Sequence, residues 1–156
     1  MLKPILLVED DPVDIDLSIM ALETCKLSNE IVVARDGEEA LRFLTENAER
    51  QEDEIGNPAV IFLDYRIPKL CGMDVLKAIR ADKRLATIPV VLLTSSHEDI
   101  GIEEAYELGA NAYVVKPVSP ALYIEAISRL GVFWAIINEP PAGTLRSSLR
   151  ESQVSH

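Results

Sequence analysis

Five runs of strand length are apolar at every position: ILLV at 5–8, IVVA at 31–34, AVIFL at 59–63, VVLL at 90–93 and AYVV at 112–115. A strand with one wet face alternates apolar and polar side chains, so an unbroken apolar run requires cover on both faces. Segments with helical spacing of apolar residues separate these runs. Strand and helix therefore alternate five times, which predicts a doubly wound α/β fold: five helices on a five-stranded parallel sheet.

The helix signals agree. Asp11-Pro12 reads as cap and first turn of a helix carrying Ile15, Ile19 and Leu22 to about Thr24. Asp36 caps a second helix with Ala40, Leu41 and Leu44, and the charged stretch 47–58, NAERQEDEIGNP, reads as a solvated loop. A third helix spans about Met73 to Ala81, with Val75, Leu76 and Ile79 inward. A fourth spans about Glu98 to Leu108 and stops at Gly109. The fifth starts at Ser119-Pro120 and continues to about Asn138, where Glu139-Pro140-Pro141 ends it. Residues 1–139 thus form one domain, and 140–156, rich in Ser and Arg, are expected to be a disordered tail.

Composition narrows the function. A chain of 156 residues that is 48% hydrophobic can fill a single core. A net charge of -11 opposes binding to nucleic-acid backbones or anionic lipid. No apolar run approaches the roughly 20 residues of a membrane span, and the start of the chain lacks a signal-peptide pattern. A cytoplasmic protein is expected. Cys25 and Cys71 lack CxxC spacing and read as ordinary cytosolic thiols. His97 reads as a surface residue after the fourth strand, and His156 lies in the tail.

In an open α/β sheet, ligands collect at the carboxyl ends of the strands. Glu9 and Asp10 follow the first strand, Asp64 the third, Thr94 ends the fourth and Lys116-Pro117 follows the fifth. Carboxylates gathered at one edge repel, and the remedy is a hard divalent cation or retained protons. Mg²⁺ held by carboxylates, a main-chain carbonyl and waters suits the set. With the cation in place Asp64 becomes a nucleophile for phosphoryl transfer, Lys116 neutralises a phosphoryl oxygen and Thr94 donates to another. Each residue alone has a plainer reading: Asp10 or Asp11 as a helix cap, Thr94 as a strand-end hydroxyl, Lys116 as a solvated charge. Their joint placement favours the chemical reading, with Asp11 kept as the cap.

The segments LLVEDDP (6–12), IFLDYRIPKLCGMDVL (61–76), VVLLTSS (90–96) and ELGANAYVVKPVS (107–119) resemble the receiver domain of bacterial response regulators, from about Leu2 to Asn138. The resemblance implies a flavodoxin-like sheet of strand order 2-1-3-4-5. It implies Asp64 as phosphoacceptor, with Glu9, Asp10, Asp64 and the main-chain carbonyl of Arg66 around Mg²⁺. Thr94 and Tyr113 would be the switch pair, Lys116 the phosphoryl clamp and Lys116–Pro117 a cis bond. Tyr113 as simple strand packing remains the alternative. Arg66 and Ser96 stand where such proteins vary, and Arg66 is expected to shield the phosphoryl group from hydrolytic water.

The second half of helix five, LGVFWAII, is apolar nearly all round, wider than the stripe a sheet-packed helix needs. Either the sheet and tail cover Trp134 and its neighbours, or Tyr123, Ile127, Leu130, Phe133, Trp134 and Ile137 form a face for self-association or a partner. The FW…NEPP ending resembles single-domain regulators found beside bacterial phytochromes, which implies a homodimer through the helix 4–strand 5–helix 5 face and a phytochrome kinase as partner.

The reading is a stand-alone response regulator that takes a phosphoryl group from a sensor histidine kinase and catalyses only its own modification. A phosphorylation-independent pseudo-receiver is the alternative. A phosphatase using an aspartyl phosphate is disfavoured because Arg66 stands where a second Asp is usual, and a dinucleotide domain because EDDP replaces GxGxxG after the first strand.

Overall fold

Strands β1 (Ile5–Val8), β2 (Ile31–Ala34), β3 (Val60–Asp64), β4 (Val90–Thr94) and β5 (Ala112–Val115) pair in parallel in the order β2-β1-β3-β4-β5. The computed structural model describes residues 2–49, 56–96 and 101–138. Every residue of β1, β3 and β4 is buried, as their unbroken apolar sequences require, whereas β2 and β5 are half-buried edges. Successive side chains point to opposite faces. Leu6, Val8, Ile61, Leu63, Val90 and Leu92 pack beneath helices α2 (Gly37–Glu49), α3 (Gly72–Ala81) and α4 (Ile102–Glu107). Ile5, Leu7, Val60, Phe62, Val91 and Leu93 pack against α1 (Pro12–Thr24) and α5 (Pro120–Val132).

Local chemistry sets the helix ends. Asp11 Oδ1 accepts from the Val13 and Asp14 amides at 2.8 and 3.3 Å, capping α1 ahead of Pro12. Asp36 Oδ1 accepts from the Glu39 amide at 2.8 Å. After α4, Gly109 takes φ +102°, and its amide donates to Tyr106 O at 3.0 Å. A left-handed residue just past a helix end costs glycine no Cβ clash. The expected start of this helix at Glu98 lies outside the described residues, as do His97 and the tail.

Two expectations are corrected here. Residues 47–49 are the last turn of α2, not loop: Asn47 is buried and its amide donates to Gly56 O. Glu46 and Glu49 point outward while Leu44, Asn47 and Ala48 face inward, so charge content misrepresented a helix with one wet side. Of the rest of that stretch, residues 50–55 lie outside the described residues, and Gly56 and Asn57 are half-buried and Pro58 buried just ahead of β3.

The second correction concerns the C-terminal helix. α5 passes into a π-helical turn, Phe133–Ile137, closed by the Asn138 amide on Phe133 O at 2.7 Å. Pro120–Ile137, with 18 residues of mean hydropathy 1.4, has the length and apolar content of a membrane span. Its packing is that of a sheet-covering helix. Tyr123, Ile127, Gly131 and Ala135, every fourth residue, are buried against α1 and the sheet, while Glu125 and Arg129 pair across the outer side. Tyr123 and Ile127 therefore belong to the core, not to a partner face; Ser18 Oγ and Tyr123 Oη share a buried hydrogen bond of 2.9 Å. Leu130 and Trp134 are half-buried, and Phe133 and Ile137 are exposed, joined by Leu122 and Ile136.

At the amino ends of β4 and β5, one guanidinium ties three segments together. Arg80, at the end of α3, donates to Gly109 O, Ala86 O, Ile88 O and Asn111 Oδ1 at 2.8–3.1 Å. Asn111 Oδ1 also accepts the Val90 amide at 2.8 Å, fixing the start of β4. Arg80→Met is expected to lower the unfolding free energy by about 2–4 kcal/mol, because four acceptors lose a charged donor. Arg80→Lys should recover less than half of that, since a single ammonium cannot span the fork. Urea denaturation of the two variants measures both; midpoints equal to wild type would show that the contacts carry no stability.

Candidate functional site

Parallel pairing throughout the sheet brings the carboxyl ends of β1, β3, β4 and β5 to one edge. Glu9, just past β1, is almost fully buried, and its Oε1 accepts the Asp10 and Asp11 amides at 3.1 Å each. Asp64, the last residue of β3, is also buried and accepts the Arg66 amide at 3.3 Å on Oδ1. Lys116, past β5, brings its ammonium to Glu9 Oε2 at 2.6 Å and to Asp14 Oδ2 and Asp64 Oδ2 at 2.8 Å each. Its side chain is only 10% exposed, so all three N–H bonds are spent on carboxylates with little water to help.

Charge balance follows from this crowding. Burial pushes Glu9 above the ordinary carboxylate range, and neighbouring Asp64 pushes it further, while Lys116 pulls it back. For Lys116, burial works to lower the pKa, but the hydrogen bonds it donates to Asp14, Asp64 and Glu9 overrule it and hold the group well above the ordinary lysine range. One permanent cation thus serves three acids. Carboxylate oxygens of Glu9, Asp10 and Asp64 also lie within 4.8 Å of one another, Asp10 being the exposed member. An all-oxygen donor set with one open side fits a hard divalent cation that keeps its waters.

Thr94, at the end of β4, supplies an independent sign of an intended ligand. Its side chain is 0% exposed, yet its hydroxyl has no hydrogen-bond partner among the described residues. An unsatisfied buried donor costs about 1–3 kcal/mol, so native proteins seldom keep one without a use. Leu93 pairs with Asp64, which puts Thr94 one residue past the acid on the neighbouring strand. Leu92 and Tyr113 are paired and both pack on the α4 side, and alternation puts Thr94 on that side as well. Tyr113 itself is half-buried on β5, outside the carboxylate cluster.

The structure brings together Glu9, Asp10, Asp64, Thr94 and Lys116, with exposed Arg66 at the rim. The Lys116–Pro117 bond, expected to be cis, is trans, as is every peptide bond among the described residues. Trans is the lower-energy isomer even before proline, and the flexible lysine stem reaches the three acids from a trans backbone. Sequence reasoning missed Asp14, although DDPVD sets it one helical turn beyond Asp10, on the side from which α1 enters the site. It also missed Gly72. A Cβ there would meet Asp64 O at 2.6 Å and Tyr65 Cα at 2.9 Å, so only glycine lets α3 begin against the backbone of the phosphoacceptor candidate.

The model of the response regulator receiver domain matches residues 5–128. The chain is a response regulator receiver. It is 35% identical to response regulator Rcp1 of Synechocystis over 85% of this chain and 88% of that protein. A Mn(2+)-bound crystal form of Rcp1 superposes with a TM-score of 0.79, at 34% identity, covering 90% of this receiver and 99% of that chain. The phosphorylated cyanobacterial phytochrome response regulator RcpA superposes at 0.80, with 33% identity and coverage of 91% and 100%. The bacteriophytochrome response regulator AtBRR is 50% identical over 89% of this receiver and 99% of that chain, at a TM-score of 0.68. The receiver fold, its strand order and its acidic edge are thus those anticipated from sequence.

Removing the shared cation should expose how much the receiver's edge depends on it. Lys116→Met in chelator-containing buffer is expected to lose about 3–5 kcal/mol of unfolding free energy, the usual result of stranding a buried charge. Adding Asp64→Asn to that variant should recover part of the loss. Chemical denaturation of the single and double variants checks this, and additive losses would contradict the shared-cation account.

Proposed function

We propose that this receiver is a stand-alone response regulator of a two-component phosphorelay, accepting a phosphoryl group on Asp64 from the phosphohistidine of a sensor histidine kinase in the cytoplasm. The observation that carries the reading is the pairing of Asp64 with two groups suited to a phosphoryl anion: the Lys116 ammonium at 2.8 Å and the unpartnered buried hydroxyl of Thr94. In the transfer, an Asp64 carboxylate oxygen bonds to phosphorus as the P–N bond breaks, and that electron pair stays on the kinase imidazole. Little covalent chemistry is asked of the protein; positioning and charge stabilisation do the work.

Glu9, Asp10, Asp64 and the main-chain carbonyl of Arg66 would hold Mg²⁺, an assignment supported by the oxygen donor set and by the Mn(2+)-bound relative. When bound, the cation supplies charge neutralisation between the acids and the incoming phosphoryl group. Lys116 gives up one carboxylate to take a phosphoryl oxygen, and Thr94 donates to another. Drawn toward that oxygen, Thr94 leaves room on the α4 side that Tyr113 can fill, which makes the pair the switch. Exposed Arg66 shields the phosphoryl group at the rim. Likeness to RcpA and AtBRR supports a phytochrome kinase as the phosphodonor.

Incubation with acetyl phosphate and Mg²⁺ tests the reading. One hydroxylamine-labile phosphoryl group per chain is expected, absent when Mg²⁺ is chelated and absent in Asp64→Asn. A chain that takes up no phosphate would instead be a phosphorylation-independent interaction module.

Output in this reading is a homodimer through the α4–β5–α5 face. Phe133, Ile136 and Ile137 at the end of α5 are 44%, 59% and 61% exposed, a cluster of large apolar groups beyond the scattered ones of an ordinary surface. Phe133→Asp, which removes an edge-on contact with Trp134 at 4.9 Å but no fully buried side chain, is expected to shift the sedimentation coefficient from dimer to monomer without changing the phosphate uptake. A wild-type chain that sediments as a monomer with and without phosphate would move the output elsewhere.

A further inference from the structure

We infer that Asp14 is a holding point for the Lys116 ammonium and that, by drawing the lysine away from Glu9 and Asp64, it raises the pocket's affinity for a divalent cation. The inference rests on the proposed reading of Glu9, Asp10 and Asp64 as the cation's ligands. Of the three acids that Lys116 touches, Glu9 and Asp64 belong to the group whose oxygens converge within 4.8 Å, and Asp14 does not. A cation entering that group and the ammonium would therefore compete for the same two carboxylates. Asp14 alone offers the lysine a full counter-charge that the cation does not need.

Geometry suits the role. Asp14 stands in the first turn of α1, where its amide is fixed by the Asp11 cap at 3.3 Å, so its carboxylate approaches Lys116 from a rigid element. Its side chain is 26% exposed against 8% for Asp64, so water reaches it while the deeper acids change partners. Lysine is a point charge on a flexible stem and can pivot among three acceptors without losing hydrogen bonds, which a planar guanidinium could not. Asp14 is thus a positioning residue that acts through Lys116.

Calorimetric titration of the full chain with MgCl₂ tests this. Asp14→Asn is expected to weaken Mg²⁺ binding by about tenfold, because one counter-charge is lost and the lysine falls back on Glu9 and Asp64. Asp14→Glu should stay within about threefold of wild type, and Asp16→Asn, which removes an equal charge from the same helix without touching Lys116, should change affinity by less than about twofold. In a Lys116→Met background the Asp14→Asn effect should shrink to less than about threefold. Unchanged affinity in Asp14→Asn, or an equal loss in Asp16→Asn, overturns the inference. A wild-type chain that binds no Mg²⁺ fails differently, since it overturns the cation reading on which the inference rests.

Discussion

One ammonium shared by three acids is the constraint around which this molecule is arranged. Lys116 reaches Glu9, Asp14 and Asp64 from the end of β5, so the site exists only while β1, α1, β3 and β5 keep their relative positions. The sheet makes that possible at low risk. Its three central strands are buried throughout and apolar up to their last residues, which confines the polar chemistry to one edge. Burial of the acids would be costly without the lysine, and burial of the lysine costly without the acids. The same crowding leaves the edge short of positive charge, which is the condition the proposed cation-assisted phosphoryl transfer needs before its ligands arrive.

Much of this was legible because two simple periodicities rule the chain. Runs apolar at every position gave β1 to β5 nearly to the residue, and the first polar side chain after each strand gave Glu9, Asp64, Thr94 and Lys116. Those positions are legible since a parallel sheet exposes only its ends. Asp14 was hidden by the opposite circumstance: it looks like one more acid in a helix's first turn, and only the fold, which brings Lys116 from beyond the end of β5 to within 2.8 Å of it, shows that it faces the ammonium. The buried side of α5 was hidden in a similar way. Where a helix is apolar all round, periodicity cannot say which side meets the sheet, and Tyr123 and Ile127 turned out to be core. The last turn of α2 was misread because acidic residues on its wet side outweighed the two or three inward positions in a local count.

The arrangement also bears on how a change at Lys116 can be felt at α5. Thr94 and Tyr113, the proposed switch pair, lie on the α4 side of the sheet, whereas α5 packs on the other side with α1. A second connection runs through α1 itself. Asp14 touches Lys116, and Ser18, one turn along the same helix, shares the buried hydrogen bond with Tyr123 of α5. Burial pushes the Tyr123 phenol up to about 12, so it stays neutral and keeps that bond across the whole physiological range. Close-packed interiors are hard to compress and transmit strain. Lys116 thus touches α1 at Asp14 and α1 touches α5 at Ser18, so an unbroken chain of side-chain contacts joins the ammonium to the C-terminal helix.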